Sequence, residues 1–234
     1  MIKLDQIDST NDYLKQLNKE KNLENFTSIF TENQTKGKGQ MGNVWISNKG
    51  KNLTFSTLYT LQENQNLDNV NIIMITAVSV LQVLIQKNIE NLAIKWPNDI
   101  ILENKKIGGI LIEKSKNILN QKSFIIGIGL NVFENDFKNL PKASSIEQLT
   151  HKKLDLNFLL IEIVSQLKQN IESKLNFKEK YINFLYKYNK ISFFMINDKK
   201  EVGKIIDISS EGKLIIAFDN EIKYFGIKEI EMLY

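Results

Sequence analysis

Three short segments, each joining glycine or proline to charged and amide side chains, most constrain what this chain can fold into. They are Gly37-Lys38-Gly39-Gln40-Met41-Gly42, Lys95-Trp96-Pro97-Asn98-Asp99 and Lys106-Ile107-Gly108-Gly109-Ile110, all within the first half of the sequence. A glycine loop offers backbone N–H groups to anionic oxygens, because glycine lets the backbone approach closely. Lysines add point charges, and a carboxylate at a strand end can hold the magnesium that accompanies ATP. The segments therefore predict a site that holds an anionic small molecule beside a nucleotide.

The length and composition are those of a globular protein with one medium domain, or one domain and a small appendage. Of the 234 residues, 42% are hydrophobic and 25% are charged, so a packed core is expected. No apolar run reaches the roughly 18 residues needed to cross a bilayer, and residues 1–5 contain no apolar signal core. The sequence therefore predicts neither secretion nor a membrane partner.

The residue types that are missing exclude several kinds of chemistry. The sequence contains no cysteine, which excludes disulfides and thiolate catalysis and favours a cytoplasmic setting. The single histidine, His151, lies in a polar stretch and is interpreted as a solvated loop residue, so a Ser-His-Asp hydrolase or a multi-histidine zinc site is not expected. All 31 basic residues are lysines, and the net charge of +4 is spread along the chain. Nucleic acid is therefore not an expected partner, because its binders more often gather a basic face.

Hydrophobic periodicity predicts mixed helices and strands, followed by a group of short strands. A first helix is expected to begin near Asp8, with Ser9 as its N-cap. Three further helices are expected over residues 70–86, 156–175 and 181–189. Longer strands are expected over residues 1–7, 26–32, 52–59, 92–95, 100–102, 107–113 and 123–132. The strands at 100–102 and 107–113 are expected to form a hairpin over Glu103-Asn104-Lys105. Short strands over residues 192–196, 202–208, 213–218 and 222–225 indicate a small barrel with a limited core of its own. The predicted domains are 1–189 and 190–234.

Five segments, taken in order, resemble the motifs of the biotin protein ligases, the biotin–[carboxylase carrier] ligases. The segments are Asp8-Ser9-Thr10-Asn11, the loop at residues 32–45, Lys95-Trp96-Pro97-Asn98-Asp99, Lys106-Ile107-Gly108-Gly109 and Gly127-Ile128-Gly129-Leu130-Asn131-Val132. The C-terminal short strands are similar to the SH3-like domain of that family. The resemblance therefore runs nearly from end to end.

The resemblance implies an α+β fold, with a mixed β-sheet packed with helices in a class II synthetase-like catalytic domain and a small C-terminal SH3-like β-barrel. It implies a reaction in two steps. Biotin and Mg²⁺-ATP give biotinyl-5′-adenylate and pyrophosphate, and a lysine of the biotin carrier domain of a carboxylase then attacks the adenylate. No helix-turn-helix segment precedes the first motif, so the monofunctional type without a DNA-binding domain is expected. The family contains monomers and homodimers, and nothing in the sequence decides between them.

The same resemblance implies roles for individual residues. Lys106 and Asp99 are the expected catalytic residues, and Asp99 is also the expected Mg²⁺ ligand. The residues expected to bind biotin are Ser9, Thr10, Asn11, Gln34, Gly37, Lys38, Gly39, Gln40, Lys106, Gly109 and Gly129. The residues expected to bind the nucleotide are Lys38, Gln40, Trp45, Lys95, Asn98 and Asn131.

Purely structural interpretations stand beside several of these roles. Ser9 is also suited to ordinary helix capping. Asn98 and Asp99 are common turn residues after a proline such as Pro97. Trp45 is of a type that more often packs than binds ligands, and without its motif Lys106 would be read as an exposed lysine.

Two rival functions fit parts of the sequence. A lipoate or octanoate ligase would share the fold and the acyl-adenylate chemistry, but those ligases lack the Lys-Trp-Pro-Asn-Asp motif and have a different glycine-rich loop. A protein that only binds ligands is the second alternative. It is supported by the absence of arginine, and Lys106 and Asp99 argue against it.

The loop departs from the family at two positions. Lys38 stands where the family usually has arginine, and Gln40 stands where many members have a second one. Lysine keeps the charge but lacks the bidentate fork of arginine, whereas glutamine loses the charge. Retention of the adenylate would then depend more on burial and on backbone N–H groups.

We therefore expect this enzyme to release more adenylate than relatives with arginine at this position. The variant Gln40→Arg should label fewer off-target lysines than the wild type, because a second cation would hold the adenylate phosphate. Biotinylation of a non-substrate protein mixed with each enzyme measures the effect. Equal labelling by the two enzymes would refute the expectation.

Overall fold

The computed structural model describes residues 1–63, 65–137 and 140–233. The strands are β1 (Ile2–Leu4), β2 (Ser28–Thr31), β3 (Asn52–Thr60), β4 (Leu92–Lys95), β5 (Asp99–Leu102), β6 (Lys105–Lys116), β7 (Lys122–Asn131), β8 (Ile191–Ile196), β9 (Lys199–Ile208), β10 (Leu214–Ala217), β11 (Ile222–Phe225) and β12 (Glu231–Leu233). The helices are α1 (Thr10–Glu20), α2 (Asn69–Gln86), α3 (Ile146–Thr150), α4 (Leu156–Glu172) and α5 (Lys178–Asn183). Tyr234, the last residue of the predicted second domain, lies outside this range.

Two sheets organise the chain, and they confirm the predicted α+β class. The first is a mixed seven-stranded sheet in the order β1-β2-β3-β7-β6-β5-β4, in which β1 and β2 run parallel. The second is a five-stranded antiparallel sheet in the order β11-β10-β9-β8-β12, at the place where the SH3-like barrel was expected. Helix α1 packs on β3 and β7, whereas α2 packs on β6 and against α4 and α5.

Helix α2 begins and ends as its sequence predicts. Asp68 and Asn71 form a reciprocal capping box at its N-terminus. Its mean composition is so apolar that by length and composition alone the helix could cross a membrane, yet 61% of it is buried inside the protein. Burial against the sheet and α4 explains an apolar surface that extends nearly all round the helix.

The predicted hairpin between β5 and β6 is also present, with its turn at Glu103 and Asn104. Both residues have positive φ, 49° and 65°, as a tight primed turn requires. A register shift marks a bulge in β6, because Ile100 and Ile101 of β5 face Gly108 and Lys106 and leave Ile107 as the extra residue. The bulge lies between the turn and the strand end at Asp99.

Near the C-terminus, one predicted helix was wrong in extent and one strand was not predicted. The helix expected over residues 181–189 is α5, which begins earlier and ends at Asn183. The chain then pairs with strands, because Tyr186 N donates to Ile94 O at 2.8 Å and Asn189 N donates to Ile205 O at 2.9 Å. The short strand β12, which pairs with β8, was missed.

The two sheets share one continuous apolar core. Phe194 and Ile216 of the second sheet belong to the same buried cluster as Ile94 and Tyr181. The Trp96 indole N–H donates to Gly212 O at 3.0 Å across the junction. The boundary at residue 189 stays a prediction, although the change from the mixed sheet to short antiparallel strands follows it closely.

Glu134 links the segment at the start of β3 to the segment that follows β7. Its carboxylate accepts hydrogen bonds from Asn48 N, Asn52 Nδ2, Asn135 N and Asp136 N at 3.0–3.4 Å. Burial raises the pKa of this carboxyl, but the hydrogen bonds outweigh burial and hold the pKa below its usual range.

We expect Glu134→Gln to lower the free energy of unfolding by about 1–2 kcal/mol at pH 7, because donors would lose a charged acceptor. The pKa of the Glu134 carboxyl is lower in the folded protein than in the unfolded chain, where it is about 4.3. Its contribution to the free energy of unfolding is therefore complete above the unfolded pKa and is lost as the pH falls through the folded pKa. Urea denaturation of both proteins should show a difference at pH 7 that narrows toward pH 3. A difference that does not change with pH would contradict the assignment.

Candidate active site

A cavity of about 930 Å³ lies between the first sheet, the loop at residues 37–45 and the second sheet. It brings together most of the residues that the sequence analysis singled out. Those lining it are Ser9, Thr10, Asn11, Gln34, Lys38, Gly39, Gln40, Trp45, Lys95, Asn98, Asp99, Lys106, Gly109 and Gly129.

Two predicted site residues do not line the cavity. Gly37 forms the base of the loop, where a Cβ would lie 2.3 Å from Trp45 O, so its role here is to let two backbone segments pass. Asn131 is buried at the end of β7, and its amide donates to Ser144 O at 3.1 Å. Its side chain is therefore used to fix the following loop.

A buried polar network forms around the N-terminus of α1. Ser9 caps the helix by accepting from Asp12 N. Thr10 donates to Gln34 Oε1 through its backbone N–H at 2.8 Å and its hydroxyl at 3.0 Å. Ser56 Oγ lies 2.7 Å from Thr10 Oγ1 and 2.5 Å from Asn11 Oδ1. The predicted polar segment is thus anchored to the central strand β3.

This network contains two residues that the sequence analysis missed. Ser56 is fully buried on β3, and Glu113 on β6 accepts from Asn11 Nδ2 at 2.9 Å and pairs with Lys15 at 3.0 Å. Each is far in sequence from its partners, so only the pairing of the strands brings them together. A hydroxyl within the apolar run of β3 was the only available signal.

Glycines of β7 clear the floor of the cavity. A Cβ at Gly127 would lie 2.3 Å from Asn11 Oδ1, and one at Gly129 would lie 2.6 Å from the ring of Trp45. Any side chain at these positions would displace the polar network or the indole. The glycines therefore leave room for Asn11 and Trp45 above the strand.

The glycine loop folds as a short hairpin over this floor. Gly39 N donates to Asn43 O at 2.7 Å and Trp45 N donates to Gly37 O at 2.9 Å. Between them Met41 has a φ of 55°. Lys38 pairs with Asp12 of α1 at 2.6 Å, which raises the pKa of the Lys38 ammonium. The loop is thereby fastened to the helix that carries the polar network.

Lys106 and Asp99 meet beside Gly109 of β6, which pairs with Gly129 of the cavity floor. The ammonium lies 2.7 Å from a carboxylate oxygen, with both side chains only partly exposed. Lys95 lies in the same region, where burial lowers the pKa of its ammonium while the charge of Asp99 raises it. Two ammonium groups and one carboxylate, partly shielded from water, suit a site that receives an anion.

Hydrogen bonds fix the turn that carries Asp99. Asn98 Nδ2 donates to Ile110 O at 2.6 Å, and the buried Tyr181 hydroxyl donates to Pro97 O at 2.8 Å. Burial raises the pKa of Tyr181, and the charge of Asp99 adds to that effect. Asn98 therefore lines the cavity and also stabilises the turn, which agrees with the alternative role of a turn residue after Pro97.

The carboxylates available for a metal are few. Within the described ranges, no group of three or more His, Cys, Asp or Glu side chains gathers as a metal site. Asp99 lines the cavity beside Lys106, and Asp198, Glu229 and Glu231 line it from the second sheet and its turns. One or two carboxylates are what Mg²⁺ needs when nucleotide phosphates and water supply its remaining ligands, so these residues fit Mg²⁺ bound with ATP.

The second sheet closes the cavity, a contribution that the sequence analysis did not predict. Its lining residues include Phe194, Asn197, Asp198, Leu214, Lys228, Glu229 and Glu231. None of them belongs to a motif, and the turns that bring them to the cavity gave no signal beyond ordinary turn composition.

Comparison with known proteins agrees with this arrangement. Residues 4–131 match the model of the Biotin/lipoate A/B protein ligase family. The chain is 27% identical over 235 residues to the bifunctional ligase/repressor BirA of Escherichia coli, which covers 97% of this chain and 72% of that protein. It is also 27% identical over 121 residues to a biotin–[acetyl-CoA-carboxylase] ligase of Paracoccus denitrificans, covering 51% of this chain and 48% of that one.

A solved structure shares the fold. The biotin protein ligase of Aquifex aeolicus in complex with biotin and ATP superposes with a TM-score of 0.81 at 27% identity, covering 99% of this chain and 97% of that one. The fold and the site define a ligase of small carboxylic acids. The chain belongs to the Biotin/lipoate A/B protein ligase family, and within it the sequence and fold are those of the biotin protein ligases.

The contact between Gly129 and Trp45 predicts a specific spectroscopic change. Gly129→Ala should displace the indole, shift its fluorescence emission and destabilise the protein by about 1–3 kcal/mol, because the added methyl overlaps the ring. The chain has two tryptophans, so a Trp96→Phe background isolates Trp45. Gly109→Ala is the matched control, since its nearest contact would be 3.7 Å away. Identical spectra for the two alanine variants would contradict the proposed packing.

Proposed function

We propose that this protein uses ATP to convert biotin to biotinyl-5′-adenylate and then transfers the biotinyl group to a lysine of a carboxylase's biotin carrier domain. The observation that carries the proposal is the Lys106–Asp99 pair, which faces a glycine-cleared floor and lies in one cavity with the glycine loop. The Aquifex aeolicus relative, whose structure contains biotin and ATP, supports the choice of substrates.

Lys106 is proposed to bind the biotin carboxylate and to orient it. In the first step a carboxylate oxygen attacks the α-phosphorus of ATP, and the bond to the β-phosphate oxygen breaks to release pyrophosphate. A fixed ammonium at this position would stabilise the negative charge that develops around the phosphorus, the type of electrostatic effect that often dominates catalysis. Lys95, in the same wall, would add a second positive charge.

Asp99 is proposed to hold Mg²⁺ together with the ATP phosphates. The ion would neutralise phosphate charge and orient the triphosphate. Asp99 also keeps Lys106 in place through their 2.7 Å contact. The carboxylate therefore positions both groups that meet the nucleotide.

The polar network is proposed to bind the ureido ring of biotin. Hydroxyl and amide groups of Ser9, Thr10, Asn11 and Gln34 offer both donors and acceptors, as that ring requires. Because Ser56 and Glu113 already hold Asn11 and Thr10 in position, binding would require little reorganisation.

The glycine loop is proposed to shield the adenylate until the carrier arrives. A mixed anhydride hydrolyses readily, so excluding water protects it. In the second step the neutral amine of the carrier lysine attacks the anhydride carbonyl, AMP leaves and the amine proton is lost to solvent. The cytoplasmic setting predicted from the absence of cysteine is part of this proposal.

Pyrophosphate release from Mg²⁺-ATP tests the function and its nearest rival together. We expect release with biotin and none with lipoate, and Lys106→Ala should lose at least a hundredfold in rate, because its ammonium contacts the reacting atoms. Lys105→Ala, the neighbouring lysine outside the cavity lining, is the matched control. Pyrophosphate release with lipoate would show that lipoate, and not biotin, is the substrate. Release with neither acid would indicate a protein that binds ligands without catalysis.

A further inference from the structure

The lysines around the cavity differ in how their charge is used. Lys38 is paired with Asp12 and Lys106 with Asp99. Lys228, in the turn between β11 and β12, donates to the carbonyl of Met41 at 3.4 Å. Among the residues that the structure describes, its ammonium has no carboxylate partner within salt-bridge distance. It is therefore a positive charge available to a ligand at the mouth of the cavity.

The backbone holds Lys228 in an uncommon conformation. Its φ is 71°, in the left-handed region that residues other than glycine and asparagine seldom adopt. The turn around it is closed by the Glu229 carboxylate, which accepts from Gly226 N at 2.6 Å, and by Glu229 N, which donates to Gly226 O at 3.2 Å. This turn brings the exposed side chain of Lys228 within hydrogen-bond distance of the glycine loop.

The glycine loop itself brings little unpaired charge. Lys38 is committed to Asp12, and Gln40 is neutral. A nucleoside triphosphate carries most of its charge on the β- and γ-phosphates, which require several cationic partners. Lys228 brings a positive charge from outside the loop to the loop tip at Met41.

We propose that Lys228 binds the β- and γ-phosphates of ATP, so that the second sheet completes the nucleotide site. This rests on the proposed function for its role in the reaction. When the biotin carboxylate attacks the α-phosphorus and the bond to the bridging oxygen breaks, negative charge accumulates on the departing pyrophosphate. Lys228 neutralises that charge while it holds the loop tip through Met41.

Nucleotide binding tests the proposal without catalysis. With Mg²⁺ and biotin present, calorimetry measures binding of AMP and of an ATP analogue that has a methylene bridge between its α- and β-phosphates. Lys228→Ala should weaken the analogue roughly tenfold and change AMP binding less than twofold, because only the analogue carries the β- and γ-phosphates. Lys228→Arg should restore binding of the analogue. Lys213→Ala, an exposed lysine of the same sheet that does not line the cavity, should change neither.

Equal weakening of both nucleotides, no weakening, or a wild type that binds neither would overturn the proposal. Kinetics add a second readout. Lys228→Ala should raise the KM for ATP but leave transfer from preformed biotinyl-adenylate to the carrier unchanged, since no pyrophosphate remains in that step. If the wild type bound the analogue but released no pyrophosphate with biotin, the proposed function would fail, while the binding comparison would still decide the role of Lys228.

Discussion

The ion pair between Lys106 and Asp99 is the contact on which the rest of the site depends. It exists because a tight turn at Glu103 and Asn104 folds β6 back on β5 in one register. A slip of one residue would send Lys106 to the opposite face of the sheet. The bulge in β6 adjusts the register between the turn and Asp99, so that Lys106 and Asp99 lie on the same face of the sheet. Turn chemistry thus determines where the two charges meet.

The floor of the cavity depends on a different constraint, the absence of side chains at two positions of β7. Gly127 and Gly129 leave space that Asn11 and Trp45 fill from two separate segments. Because the polar groups of Asn11 are satisfied by Ser56 and Glu113, they remain oriented in a largely apolar surrounding. Hydrogen bonds therefore fix the polar groups on the sheet side of the cavity.

The sequence was informative where signals are local. The capping residues of α1, the long apolar run of α2 and the hairpin turn depend on neighbours in the chain, and all were predicted near their observed positions. The features that the sequence did not predict depend on contacts between residues far apart in the chain. The segment 181–189 has helical periodicity, but in its C-terminal half the backbone forms hydrogen bonds with β4 and β9 instead of continuing the helix. Ser56 and Lys228 carry no local mark of their role, because strand pairing and sheet packing alone bring them to the cavity.

The use of lysine in place of arginine changes how the site distributes its charge. A guanidinium can bind a carboxylate and a phosphate through separate N–H groups, whereas an ammonium is a compact point charge. Here the charge of Lys38 forms an ion pair with Asp12 that attaches the loop to α1. A chain without arginine must then collect phosphate-binding charge from more than one structural element. The packing of the second sheet against the first through a shared core makes this possible, since it fixes Lys228 within reach of the loop tip at Met41. The small C-terminal sheet is on this view part of the catalytic site rather than an appendage to it.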